Sequence, residues 1–159
     1  MLRSTLTWAR AHGRHSALEN WRKDWAAVAK ARKGWRDVCR GPPSLHLSEF
    51  FRSFTGPREL FSRVTQSALG HAFCGEYYAR FVPSESRDCP CGSPAQSREH
   101  ILLECHAHWR ARGALYARFD HPDVPKLYGT QEGLEAVADF LHRCSAFKKH
   151  TRRALPEMT

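Results

Sequence analysis

The chain opens with a long stretch in which apolar residues recur three and four positions apart. Leu18, Trp21, Trp25 and Val28 fall on one helical face, and Arg22, Lys23, Lys30, Arg32 and Lys33 surround that stripe. Thr5 or Thr7 is placed to cap the start, Gly34 interrupts the pattern near its end, and Gly41-Pro42-Pro43 closes it, because paired prolines cannot continue a helix. Leu45, Leu47, Phe50, Phe51 and Phe54, mixed with turn residues, predict a short helix or irregular packing. Pro57 suits a first helical position, so a helix follows over Arg58–Leu69, with Leu60, Phe61, Val64 and Leu69 buried and Gly70 as its stop. Phe73, Tyr77, Tyr78 and Phe81 predict another helical turn or two, Pro83–Ser86 a polar loop, and Asp88–Gly92 a tight turn. Ser97 or Ser93 can cap a helix carrying Ile101, Leu102 and Leu103, and Ser93 has Gln96 three residues on in the capping-box arrangement. A helical pattern over Trp109–Phe119 breaks at His121-Pro122-Asp123, and Thr130 caps a last helix through Val137, Phe140 and Leu141. There is no internal repeat and no run of alternating strands. The fold class expected is mainly α.

This pattern divides the chain into a basic, tryptophan-containing helical arm over residues 1–41, a small helical domain over 42–142, and a basic tail over 143–159. Charge follows the same division. Residues 1–40 carry 10 basic and 3 acidic side chains, net +7; residues 41–142 carry 10 and 12, net −2; the remainder carries 5 and 1, net +4. Cationic ends on a near-neutral middle favour a polyanionic partner, since neutralising phosphates releases condensed counterions. At 159 residues, 42% hydrophobic and 26% charged, the composition is globular. No apolar run is long enough to span a bilayer, so no membrane role is expected.

Six cysteines stand at 39, 74, 89, 91, 105 and 144. Arg10 and Arg14 arrive early and no apolar signal core precedes them, which suits a reducing compartment, nuclear or cytoplasmic, with cysteines as metal ligands or small buried hydrophobes. Arg3, Arg10 and Arg14 without an acid also resemble a mitochondrial presequence, a weaker alternative. The informative stretch is Cys89 to Cys105, which reads C-x-C-x8-H-x4-C. Three thiolates and one imidazole are a zinc donor set, and four protein ligands leave no open position for a catalytic water. Cys89 and Cys91 sit on a turn that Gly92 can relax. His100 and Cys105 lie five apart, more than one helical turn, so the helix must loosen or end near Glu104 for both to reach one ion. His106 and His108 follow closely and can replace a ligand. Cys39, Cys74 and Cys144 lack local partners and read as core residues.

Gly70-His71-Ala72-Phe73-Cys74-Gly75-Glu76-Tyr77-Tyr78, Phe81-Val82-Pro83-Ser84-Glu85 and the Cys89–Cys105 stretch resemble the C-terminal region of fungal non-LTR (LINE-like) retrotransposon polyproteins. Leu6-Thr7-Trp8-Ala9-Arg10, Trp21-Arg22-Lys23-Asp24-Trp25 and Gly129-Thr130-Gln131-Glu132-Gly133 extend the resemblance over nearly the whole chain. It implies a Cys-Cys-His-Cys zinc knuckle over 86–108, with Cys89, Cys91, His100 and Cys105 as ligands and structural Zn2+ as the cofactor. It also implies that the reverse transcriptase and ribonuclease H active sites lie upstream, in domains this region could once have packed against. Cys74 departs from the pattern, placing a thiol about one element from the knuckle.

Catalysis has little support. Asp24, Asp37, Glu49 and Glu59 have no setting that clusters carboxylates for two metal ions. Zinc deaminases need H-x-E with P-C-x-x-C, whereas Pro90-Cys91 is followed here by Gly92-Ser93-Pro94. Cys105 and His106 are neighbours that point about 100° apart on a helix. A non-catalytic, weak and salt-dependent association with the RNA or DNA backbone is expected, through Arg22, Lys23, Lys30, Arg32 and Lys33 on the arm and Lys148, Lys149, Arg152 and Arg153 on the tail. The competing reading is a protein-interaction module or decayed remnant, with Trp8, Trp21 and Phe50 as an orphaned apolar surface.

Overall fold

The computed structural model describes residues 2–31, 44–46 and 48–149. Within them the protein is helical, with no strand. The elements are α1 (Leu2–Ala31), α2 (Glu49–Ser53), α3 (Arg58–Ala68), α4 (Gly75–Phe81), α5 (Trp109–Tyr116), α6 (Val124–Gly129) and α7 (Gln131–His142). A π-helical turn over His100–Glu104 and a 3-10 turn over His106–His108 lie between α4 and α5. No helix among the described residues is long and apolar enough to cross a membrane.

The core is built around α7, which packs against α2, α3, α5 and α6. Ala136, Val137, Phe140 and Leu141 recur at helical spacing and are fully buried on its inner face. Opposite them lie Phe50 of α2, Val64 of α3, Leu115 of α5, Leu127 of α6, and Ile101 and Leu102 of the π-turn. Thr130 caps α7 as expected, its Oγ1 accepting from the Gly133 N–H at 3.0 Å. Asp123 does the same for α6 through the Lys126 N–H. Helix α6 was not among the expected elements, since the His121-Pro122-Asp123 break masked its start.

Several expectations need correction. Helix α1 begins at Leu2, so Thr5 and Thr7 lie inside it and neither is its cap. Leu18 and Trp25 are half-buried, whereas Trp8 at 68% and Trp21 at 51% exposure are largely solvated, so the stripe is not a buried face and these two residues stand exposed as the competing reading has them. Pro57 occupies the cap position of α3 rather than the first helical one. Leu69 lies beyond α3 and is exposed. Phe50 is buried against Phe54, so it belongs to the core and not to an apolar surface with Trp8 and Trp21. The core also continues past Arg143, because Ala146 and Phe147 are buried within it. Gly34, Cys39, Asp37, Leu47, Gly41-Pro42-Pro43, Arg32, Lys33, Arg152 and Arg153 lie outside the described residues.

What secures the C-terminal end is a buried arginine that charge counting treats as free. Arg63, on α3, is 6% exposed. Its Nε donates to the Ala146 carbonyl at 3.0 Å, and a terminal nitrogen donates to the Cys144 carbonyl at 2.8 Å. These carbonyls belong to the chain leaving α7, whose helix end has no further N–H to offer them. Replacing Arg63 with Met keeps the apolar stem and strips both donors, leaving buried acceptors unpaired. The expected loss is about 2–3 kcal/mol, read as a lower urea midpoint with an unchanged m-value. A midpoint equal to wild type would mean that water reaches those carbonyls.

Candidate metal centre

Cys89, Cys91, His100 and Cys105 converge on one point. Their ligand atoms all lie within 4.8 Å of one another. The Sγ atoms of Cys89 and Cys105 are 3.6 Å apart, and Cys91 Sγ lies 3.2 Å from His100 Nε2. Thiolates bound at about 2.3 Å to a tetrahedral ion sit about 3.8 Å from each other. A disulfide would need roughly 2.05 Å, so the spacing suits an ion between the donors and not a bond between sulfurs. The four side chains are close enough to hold a metal ion, and among the described residues no other group of three or more such side chains is so placed. His106 is exposed, and His108 meets the Phe140 ring edge-on, so neither joins the cluster.

Local backbone chemistry explains how so short a C-x-C pair can converge. The Cys89 carbonyl accepts from the Gly92 N–H at 2.9 Å, and the Cys89 N–H donates to the Ser93 carbonyl at 2.8 Å. Gly92 turns the chain at φ +96°, a left-handed conformation that costs glycine little. The second pair is solved by loosening the helix. Five residues on an α-helix rotate a side chain about 140° away from the first. Here the Cys105 N–H bonds back to the His100 carbonyl at 2.6 Å, an i→i+5 closure, and the helical stretch ends at Glu104. Ser97, not Ser93, caps this stretch: its Oγ accepts from the His100 N–H at 3.0 Å, whereas the Ser93 hydroxyl donates to the Ala95 carbonyl. Glu104 then returns to His100, its Oε2 lying 3.3 Å from Nδ1. That contact orients the ring so that Nε2 faces the sulfurs, as an outer carboxylate does for metal-bound histidines.

Three residues that the chain's periodicity does not single out brace the cluster. Arg98 forks onto Glu76 of α4, with Nε to Oε2 at 3.2 Å and a terminal nitrogen to Oε1 at 3.1 Å, and also donates to the Ser67 carbonyl. Arg112 of α5 donates to the carbonyls of Leu102 and Cys105 at 2.9 and 2.7 Å, filling acceptors freed where the π-turn ends. Gln96 caps α4 across the chain: its side-chain oxygen accepts from the Gly75 N–H and its carbonyl from the Glu76 N–H. Gly75 is required there, because an added Cβ would stand 2.1 Å from the Arg87 carbonyl oxygen. The Gly75-Glu76 pair could have flagged this docking, being small then acidic at a helix start. Nothing in the sequence marks Arg112.

Electrostatics divides the thiols. Burial pushes Cys89 up to about 12. The Ser93 backbone N–H, aimed at its sulfur, brings Cys91 down to about 6. A divalent ion would favour the thiolate of both, because its charge replaces the protons of the ligands it binds. Cys74 and Cys144 lie outside the cluster, Cys74 buried and Cys144 half-buried, both held protonated chiefly by burial. The basic positions expected to meet nucleic acid are not gathered at the cluster. Arg22, Lys23 and Lys30 are exposed on α1, Lys148 pairs with Glu59 at 3.0 Å, and Lys149 is exposed.

Burial alone would raise the Glu76 carboxyl, but the hydrogen bonds and charge of Arg98 outweigh it and hold the group below its ordinary value. A depressed folded value contributes stability that is complete above the ordinary pKa of 4.5 and fades as pH falls through the folded one. Wild type is therefore expected to exceed Glu76→Gln in denaturant midpoint at neutral pH, with the gap closing in acid. Measuring both proteins side by side separates this from acid effects on the cluster. A gap constant with pH would mean that the carboxylate charge does not hold the fork.

No protein-family model, curated protein or solved structure matches this chain.

Proposed function

We propose that this protein is a zinc-stabilised, non-catalytic helical module that associates with the RNA or DNA backbone. On this reading it derives from the region that follows reverse transcriptase and ribonuclease H in fungal non-LTR (LINE-like) retrotransposon polyproteins. The observation that carries it is the donor set itself, three sulfurs and one imidazole within 4.8 Å. Soft thiolates select zinc over magnesium or calcium, and four protein ligands complete a tetrahedron with no site for a reacting water. The ion would be structural. Reduced thiols suit the nucleus or cytoplasm. The net charge of +9 and the exposed cations of α1 support a polyanionic partner held by charge, with no residue committed to reading bases.

A second reading has one specific support. Trp8 and Trp21 stand largely solvated on α1, which is unusual for side chains with so much apolar surface to bury. That favours a protein partner on α1, and Trp21→Ala would abolish its capture while leaving charge-driven oligonucleotide binding intact.

Metal analysis of the purified chain tests the main reading first, with one zinc per chain expected. Cys91→Ser should lose that ion and raise hydrogen exchange across residues 86–108, while α3 and α7 stay protected. Unchanged exchange would contradict metal binding, and collapse of α3 and α7 would contradict a local role. For the nucleic acid, log affinity should fall linearly with log salt. Neutralising Lys148, Lys149, Arg152 and Arg153 should flatten that slope by about 0.7 for each single-strand phosphate that the variant no longer neutralises. An affinity indifferent to salt would overturn the association.

A further inference from the structure

The residue after the 3-10 turn that follows Cys105 is Trp109, the first of α5, and it is 63% exposed. The Arg110 guanidinium lies over its indole, 5.4 Å from the ring centroid. Beside this pair opens a cavity of about 680 Å³, walled by Arg143, Phe73 and Phe147 and floored by Cys89 and Cys105 of the metal cluster. No carboxylate lines it. A second cavity of about 510 Å³ shares Phe73 and Phe147 and is lined by Arg58, Lys148 and Lys149. Its one acid, Glu59, is engaged by Lys148. Taken together as one groove, the two cavities share the rings of Phe73 and Phe147 and carry cations in each lining.

We infer that this groove is a binding site for single-stranded nucleic acid, with a base stacked at Trp109 and the backbone phosphates met by Arg110, Arg143 and Lys149. The inference rests on the nucleic-acid reading above and moves its centre from α1 to the groove. Three features select the occupant. A lining with cations and no free carboxylate fits a polyanion. An exposed indole with a guanidinium on it is a planar platform, and every base has a face to lay on it. A duplex keeps its base faces stacked inside, so only an unpaired strand can use that platform. An acidic peptide would match the charge but would have no ring to set on the indole.

Fluorescence anisotropy of the full-length, metal-loaded chain with a short labelled oligouridylate tests this. Trp109→Ala should weaken binding by about tenfold, whereas Trp109→Phe should stay within about threefold. Arg110→Gln with Arg143→Gln should weaken binding and flatten the salt slope. A duplex of equal length should bind less tightly than the single strand, and a polyglutamate peptide should bind without dependence on Trp109. Unchanged metal content confirms that each variant is folded. If wild type binds and the groove variants bind equally well, or if only Arg22, Lys23 and Lys30 matter, the groove is wrong and the broader reading stands. If polyglutamate competes as well as the oligonucleotide and loses affinity equally in Trp109→Ala, the occupant is an acidic peptide and the inference fails. If wild type binds no oligonucleotide at any salt, the broader reading fails with it.

Discussion

An imidazole and a thiolate five residues apart must face one point, and a regular α-helix keeps them about 140° apart. Much of the architecture between α4 and α5 follows from that mismatch. The backbone resolves it by widening one turn, so that the Cys105 N–H reaches the His100 carbonyl. Such wide turns are rare within helices because their hydrogen bonds pack less well, and where they occur they often serve a site. Here the helix ends at the widened turn, and Arg112 from α5 donates to the Leu102 carbonyl and joins the His108 N–H on the Cys105 carbonyl. The irregular turn, the arginine beneath it and the carboxylate on its outer side form one device for aiming two ligands.

That device is not an appendage to the helical body. Ile101, Leu102 and Cys105 are buried, and the first two belong to the main apolar cluster. Arg98 fastens the same stretch to α4 and to the end of α3, while the backbone at Arg87 presses against Gly75 closely enough to forbid a side chain. An ion at the cluster would therefore fix a stretch that the core already anchors. The bracing also alters what the net charge means. Arg63, Arg98 and Arg112 each direct their donors at carbonyls or a half-buried carboxylate, so three cations in the near-neutral middle are already engaged. The capacity to attract a polyanion then resides in exposed cations such as Arg22, Lys23 and Lys149.

Helix periodicity made α3, α5 and α7 legible, because Val64, Leu115 and Phe140 recur on faces that only a 3.6-residue period aligns. The four converging positions were legible from spacing and residue type, and so was the need for the helix to yield near Glu104. The choice between Ser93 and Ser97 was not. Both have cap chemistry, and what decides is that Gln96 is drawn away to cap α4, a contact between segments that no local pattern encodes. The exposure of Trp8 and Trp21 matches the alternative of an uncovered apolar surface, which the sequence left open because a stripe of apolar residues states which face is hydrophobic but not whether anything covers it. Arg63 and Arg112 entered the sequence reading only as charges to be counted. Their partners are carbonyls at helix ends, and a carbonyl leaves no mark in a sequence.

The position of the cluster beneath the groove couples them physically. Cys89 and Cys105 form part of the groove floor, and Trp109 begins only four residues after Cys105. If an ion fixes those sulfurs, it also fixes the start of α5 and with it the indole. Stacking stabilises a complex only when the ring is already held in place, because ordering a mobile aromatic on contact consumes part of the gain. An ion held there, as proposed, would thus have a route to influence binding by setting where Trp109 stands. The same linkage runs in reverse, since a strand that prefers the ordered groove must also favour the ion-bound state.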